Sequence, residues 1–327
     1  MKSLKKILFV LMLISLVFAS QFEKRPVNTY SIVAYDPATG QLGVAVQSHW
    51  FAVGQLVPWA KAGVGAVATQ SFVKVEYGPE GLKMMEKGKT ANEALDVLLQ
   101  KDEGREVRQV AMIDTKGNIA THTGRRCVQM AGHYTGDNYS VQANMMENKT
   151  VWPAMAKAYE NTSGDLANRM MAALEAAQAE GGDIRGKQSA AMLIVSGEPT
   201  GKPWQDKIVD LRVDDHPEPL KQLKRLIRIN RAYQHANQGD KYLEQDKIDK
   251  ALEEYKKSEE YYPANPELPY WTAITLAGEG QLEKALPIFK KVFAKNPKLK
   301  KMTPRLVDAG LLPDDEELLD KIMSVGE

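Results

Sequence analysis

Ala251, Tyr255 and Pro263 recur 34 residues later as Ala285, Phe289 and Pro297, and no other feature of the sequence narrows the choice of fold as much. A fixed spacing of this size marks a structural unit repeated in tandem, and a small residue, an aromatic and a proline at these offsets suit a unit made of helices. The small residue lets two helices approach, the aromatic fills the space beside it, and the proline stops the second helix. Gly239 and Tyr242 hold the earlier positions of the first copy, whereas Ala273 and Leu276 stand there in the second. Two copies bury little apolar surface, so a further helix over 314–323 is expected to cap them. The pattern begins near residue 232, and Pro217 and Pro219 mark a boundary before it. Residues 220–231 read as a connecting helix.

Upstream of that boundary the period changes. Thr29 to Tyr35 (TYSIVAY) and residues 41–48 are rich in β-branched and small residues, and they flank Asp36-Pro37-Ala38-Thr39-Gly40. This is turn chemistry between two strands and predicts a hairpin. Residues 64–70 (VGAVATQ) predict a third strand, and residues 79–100 two helices, the second opened by Thr90 and Glu93 as a capping box. A strand pair is expected over 107–113 and 118–123, around Asp114-Thr115-Lys116-Gly117, with shorter strands over 127–130 and 139–142. Helices follow over 151–159 and 166–179, then strands over 188–195 and 207–213. Strands and helices come in blocks rather than in strict alternation. That order favours antiparallel sheets covered by helices, an α+β layered fold.

The chain opens with Lys2, Lys5 and Lys6, an apolar run from Ile7 to Phe18 broken only by Ser15, and small or branched residues at Val17 and Ala19. Residues 1–19 predict a signal peptide, so the protein is expected to be secreted or periplasmic. The run is shorter than the roughly 20 residues that cross a bilayer core, and no membrane association is expected after cleavage. Basic and acidic residues number 43 and 42, a net charge of +1 that supplies no pull toward nucleic acid. Cys127 is the single cysteine, which excludes an internal disulfide and a zinc site built from cysteines.

Polar residues collect where the expected strands stop: Ser48 and His49, then Thr69, Gln70 and Ser71, then His122, Thr123 and Gly124. Three such ends at one rim of a sheet allow loops to converge on a site. No metal is expected. Asp214, Asp215 and His216 adjoin, but His49, His122 and His133 are scattered, and neither H-E-x-x-H nor a histidine pair at helical spacing is present. No glycine-rich turn links a strand to a helix with the spacing that phosphate or dinucleotide binding needs, and no cofactor is expected.

The stretches TYSIVAYDPATGQLGVAVQSHWFAVG, VPWAKAGVGAVATQSF, DEGREVRQVAMID, AGHYTGDNYSVQANMM, GGDIRGKQSAAMLIV and VDLRVDDHP closely resemble the family called domain of unknown function 1028, over residues 29–219. That family is similar to the N-terminal-nucleophile hydrolases. The resemblance implies a four-layer αββα sandwich, with two antiparallel sheets between helix layers. The 34-residue period resembles the tetratricopeptide repeat and implies an all-α domain over residues 232–327.

In N-terminal-nucleophile hydrolases a Thr, Ser or Cys becomes the first residue of the mature chain. Its α-amine, titrating near about 7.7–8.0, serves as base for its own side chain. The resemblance points to Thr29 as this nucleophile, acting on an amide bond in a small amide or peptide. Cleavage after Ala19 leaves Ser20 to Asn28 ahead of Thr29, so a second cut is needed. Ser48 or His49 would orient the nucleophile and shuttle a proton. Thr123, Gly124, Gln142 or Asn144 would donate to the oxyanion, and Lys61 would lower the pKa of the attacking group. Thr69, Gln70 and His122 would join Gln142 in lining the substrate. Arg185 and Gln188 would hold a substrate carboxylate or amide. The alternative is a binding protein without catalysis, whose repeats take a protein partner through residues such as Tyr261, Tyr262, Tyr270 and Trp271. A homodimer through the first domain is also expected.

Overall fold

The computed structural model describes residues 29–326, so the expected signal peptide lies outside the described residues. The described residues divide into two compact units, one up to residue 224 and one from residue 225 on.

Among the described residues of the first unit, ten strands form two sheets. They are β1 (Thr29–Tyr35), β2 (Leu42–Ser48), β3 (Pro58–Lys61), β4 (Gly65–Ser71), β5 (Arg108–Asp114), β6 (Ile119–Thr123), β7 (Gly132–Gly136), β8 (Tyr139–Ala143), β9 (Ser189–Val195) and β10 (Lys207–Val213). One sheet has the order β10-β9-β2-β1-β8-β7 and the other β3-β4-β5-β6, and the neighbours pair antiparallel throughout. Helices α1 (Tyr77–Glu86) and α2 (Ala91–Lys101) pack on the four-stranded sheet. Helices α3 (Val151–Asn161) and α4 (Leu166–Ala179) pack on the six-stranded one, and the two sheets face each other. The layers are therefore helix pair, sheet, sheet, helix pair.

Because both faces of each sheet are covered, β2 and β4 are buried along their whole length and read as nearly continuous small and apolar runs. The period of two then decides which side chains enter the space between the sheets. Val33, Val44, Val46, Ala66, Ala68, Ala111 and Ile113 form an apolar cluster there. Toward one rim the same strands carry polar residues at the same phase: Ser31 and Thr29 on β1, Ser48 on β2, Gln70 on β4 and Gln109 on β5. The inter-sheet layer is thus greasy at one end and hydrogen-bonded at the other. On the far side of the four-stranded sheet, Val67, Val110 and Met112 meet Tyr77, Leu82, Met85 and Leu95 from α1 and α2.

The local signals act as their chemistry dictates. Gly40, at φ +72°, closes the first hairpin with its N–H on the Asp36 carbonyl at 2.7 Å. Thr90 and Glu93 form the capping box at the start of α2. Two expectations need correction. The strand expected over 127–130 is instead a turn, with the Cys127 N–H on the Gly124 carbonyl and Met130 at φ +57°; the strand is β7, which starts at Gly132. Strand β3 was not anticipated, because four residues are too few to show a period.

Helix α5 (Pro219–Leu243) begins before the division at residue 225 and runs on through Gly239, and the second unit continues with α6 (Ile248–Tyr261), α7 (Glu267–Gly278), α8 (Leu282–Lys295), α9 (Pro297–Met302), α10 (Arg305–Asp308) and α11 (Glu316–Met323). The recurring residues take related places. Ala251 and Ala285 are fully buried, and Pro263 and Pro297 each come two residues after a helix end. A Cβ at Gly239 would come within 2.4 Å of the Tyr255 ring, so only glycine allows that approach. Phe289 lies edge-on to Tyr270 at 6.1 Å in a core completed by Ala273, Phe293 and Leu306. No helix among the described residues is long and apolar enough to cross a membrane.

Candidate active site

Strand register brings the polar rim together. Thr29 stands opposite Ser48, and Ser48 opposite Ser189, across β1, β2 and β9. On the other flank of β1 the Asn144 N–H donates to the Thr29 carbonyl at 3.1 Å. In the facing sheet Gln70, Gln109 and Thr123 lie side by side across β4, β5 and β6.

Thr29 is buried in the uncleaved chain, and its Oγ1 donates to Ser48 Oγ at 3.1 Å. The Thr29 carbonyl also accepts from Gln70 Nε2 at 3.1 Å and Asn144 Nδ2 at 3.4 Å. Gln109 ties the sheets together. Its Oε1 accepts from Gln70 Nε2 at 2.7 Å and Asn144 Nδ2 at 2.9 Å, while its Nε2 donates to Thr123 Oγ1, the Ala143 carbonyl and the Gly132 carbonyl. One step deeper, Ser31 Oγ donates to Gln70 Oε1 at 2.6 Å, and Gln142 Nε2 reaches Ser31 Oγ and the Ala68 carbonyl. Such a network is stabilising only when its members are satisfied. Asn144 Oδ1, Gln142 Oε1 and His49 Nδ1 are buried with no partner among the described residues. Ser71, at the end of β4, holds φ +70°, a strained conformation for a residue with a Cβ.

His49 joins the rim through its backbone, whose N–H donates to Asp183 Oδ2 at 3.1 Å. Arg185 grips the same buried carboxylate with Nε at 3.1 Å and Nη2 at 2.8 Å. Its fork is therefore engaged by Asp183. Gln188 donates its N–H to the Ser48 carbonyl and its Nε2 to Asp215 Oδ1.

Other expected site residues are placed differently. The Gly124 N–H is committed to the Arg108 carbonyl at 2.9 Å, so it does not serve as an oxyanion donor; its glycine identity follows from the Glu106 backbone, 2.4 Å from where a Cβ would stand. Gln142 spends its amide inside the inter-sheet layer. Thr69 Oγ1 donates to the Lys74 carbonyl, and His122 Nε2 pairs with the Arg105 carbonyl. Both are anchored to loop backbone. Lys61 pairs with Glu86 at 2.6 Å on β3, an outer strand of the four-stranded sheet. Burial pushes the Cys127 thiol up, and its Sγ faces the Arg108 carbonyl at 3.3 Å, which does not favour a thiolate. Among the described residues no group of three His, Cys, Asp or Glu side chains is placed to hold a metal ion. Sequence reasoning missed Ser31, Gln109, Asp183 and Ser189; for the three in strands the available signal was a polar residue at a shared phase, and Asp183, in the loop before β9, gave none.

A model of a family of unknown function, DUF1028, matches residues 29–223. The chain belongs to this family. The DUF1028 match begins at the residue that opens β1. The chain is similar to a DUF1028 protein from Silicibacter pomeroyi with a crystal structure: 31% identity, TM-score 0.54, 61% of this chain covered and 88% of that one. A structure of Anbu, an ancestral beta-subunit from Yersinia bercovieri, aligns with 15% identity and a TM-score of 0.28, over 58% of this chain and 89% of that one. No curated protein matches the chain.

Proposed function

We propose that the DUF1028 unit is an amidohydrolase of the N-terminal-nucleophile kind, with Thr29 as the nucleophile once the residues before it are removed. The observation that carries this reading is the placement of Thr29. It opens an interior strand, stands where the DUF1028 match begins, and has its hydroxyl 3.1 Å from Ser48 Oγ at the polar rim. The layer order, helix pair on sheet on sheet on helix pair, supports the same reading.

The chemistry follows from the groups present. A liberated Thr29 amine would be partly neutral at neutral pH and would take the Oγ1 proton as that oxygen bonds to the substrate carbonyl carbon. The C–N bond then breaks, the leaving amine carries away the proton, and water hydrolyses the acyl-Thr29 ester. Ser48 would orient Oγ1. Asn144 Nδ2 donates to Gln109 Oε1 and, at 3.4 Å, to the Thr29 carbonyl, and it would steady the developing charge by turning from that longer bond to the substrate oxygen. The leader supports secretion, and the recurring Ala, aromatic and Pro positions support a tetratricopeptide-like second unit.

The test is Edman sequencing of the protein secreted by its native host, with a panel of acyl p-nitroanilides assayed on wild type and Thr29→Ala. The expected wild-type chain begins at Thr29 and releases nitroaniline, and the variant loses at least about a thousandfold in rate. Identical activity in both, from a chain that begins at Ser20, would refute the reading.

A specific observation favours a second reading. The amide donors of Gly124 and Gln142 are already spent within the protein, as a scaffold without turnover would allow. In that case the second unit takes a protein partner, and Thr29→Ala leaves binding intact.

A further inference from the structure

The helices of the second unit border a half-open pocket of about 720 Å³ between α5, α6, α7 and the segment around Leu311. This lies within the roughly 300–1,000 Å³ typical of small-ligand sites. Its charged lining residues are Asp240 and Glu279, both acidic. Trp271 and Tyr255 contribute aromatic wall, and Leu311, 52% exposed, lies beside Pro313 in the same lining. Ser258 also lines the cavity. It is 1% exposed, and its Oγ has no hydrogen-bond partner among the described residues.

Both carboxylates are exposed at the cavity, and one of them, Asp240, is held by a hydrogen bond. Tyr255 hydroxyl donates to Asp240 Oδ1 at 2.7 Å, and the Tyr255 ring is itself seated against Gly239. Glu279 caps the C-terminus of α7, where the last carbonyls already make the potential negative. A carboxylate there is unfavourable on its own and becomes favourable beside a cation.

We propose that this cavity binds an organic ammonium group carried on an apolar body. Asp240 and Glu279 pair with the charge, the face of Trp271 receives it or the adjoining carbons, and Ser258 supplies a hydroxyl to the buried end. Two sources present this chemistry, a free alkylamine and a basic side chain within a peptide.

The experiment uses the full chain and isothermal titration. The probes are 4-phenylbutylamine, its neutral counterpart 4-phenylbutanol, and the blocked peptide acetyl-Leu-Leu-Lys-Leu-Leu-amide with a Glu-for-Lys version. The expected result is that the amine or the Lys peptide binds about tenfold or more tightly than its uncharged or acidic counterpart. Asp240→Asn and Glu279→Gln, with helix content checked by circular dichroism, each weaken that binding severalfold; Asn at 240 still accepts from Tyr255. Tighter binding of the amine assigns a free small molecule, and tighter binding of the Lys peptide assigns a polypeptide partner. Equal binding of charged and uncharged probes, or no binding of either cationic probe at about 10 mM, overturns the proposal.

Discussion

Arg108 illustrates how one side chain underwrites the rim. Its Nε donates to Asp102 Oδ2 at 2.9 Å, its Nη1 reaches the Phe72 carbonyl, and Asp102 is only 4% exposed. Burial pushes the Asp102 carboxyl up, but the Arg108 hydrogen bond and charge, with the Gly104 N–H and Lys74, outweigh it and leave the net shift downward. Arg108→Met would leave that carboxylate to Lys74, Tyr77 and the Gly104 N–H, and a loss of about 1.5–3 kcal/mol is expected in urea melts. With a lowered folded pKa, Asp102 contributes stability that is present above its unfolded value and is lost as pH falls through the folded one. The wild-type urea midpoint should therefore fall in acid, and that part of the fall should be smaller in Asp102→Asn. At this scale the sequence was only partly legible. Ser48, Gln70 and Thr123 were visible because they end strands. Ser31 and Gln109 were not, since a lone polar residue in a strand looks the same whether it meets water or a facing sheet, and pairing across sheets decides which.

Secondary elements with a mechanism in their own residues were the readable ones. The capping box at Thr90 needs only Thr90 and Glu93, and both hydrogen bonds form. Thr90→Ala is expected to cost about 1 kcal/mol, read as a lower thermal midpoint, with Thr90→Asn close to wild type. The β1–β2 hairpin was legible for the same reason, since its turn chemistry sits between two clear runs. Strand β7 was misplaced because its first residues, Gly132 and His133, carry no strand signal; their pairing with β8 supplies the conformation. Helix α5 runs past residue 231 because nothing there breaks it. Gly239 alone weakens it, by about 1 kcal/mol relative to alanine, and the contact with Tyr255 requires that glycine.

At the scale of the whole chain, the change of period at Pro217 announced two kinds of architecture, one of strands and helices and one of helices alone. Phe289→Ala, which empties the centre of the helical core, is expected to cost about 3–5 kcal/mol. Hydrogen exchange should show lost protection over α7 and α8 while β1 and β2 stay protected. Antiparallel sheets covered by helices were foreseen from the order of blocks, but which strands lie inside a sheet was not, because sheet order depends on contacts far apart in sequence. That order matters most for β1, which is flanked by β2 on one edge and β8 on the other. An amino terminus generated at Thr29 would be gripped from both sides from its first peptide group onward, with no slack to fray. Exopeptidases need a loose end to thread into their own clefts. Such a terminus should therefore resist trimming by aminopeptidases for as long as the sheet is folded.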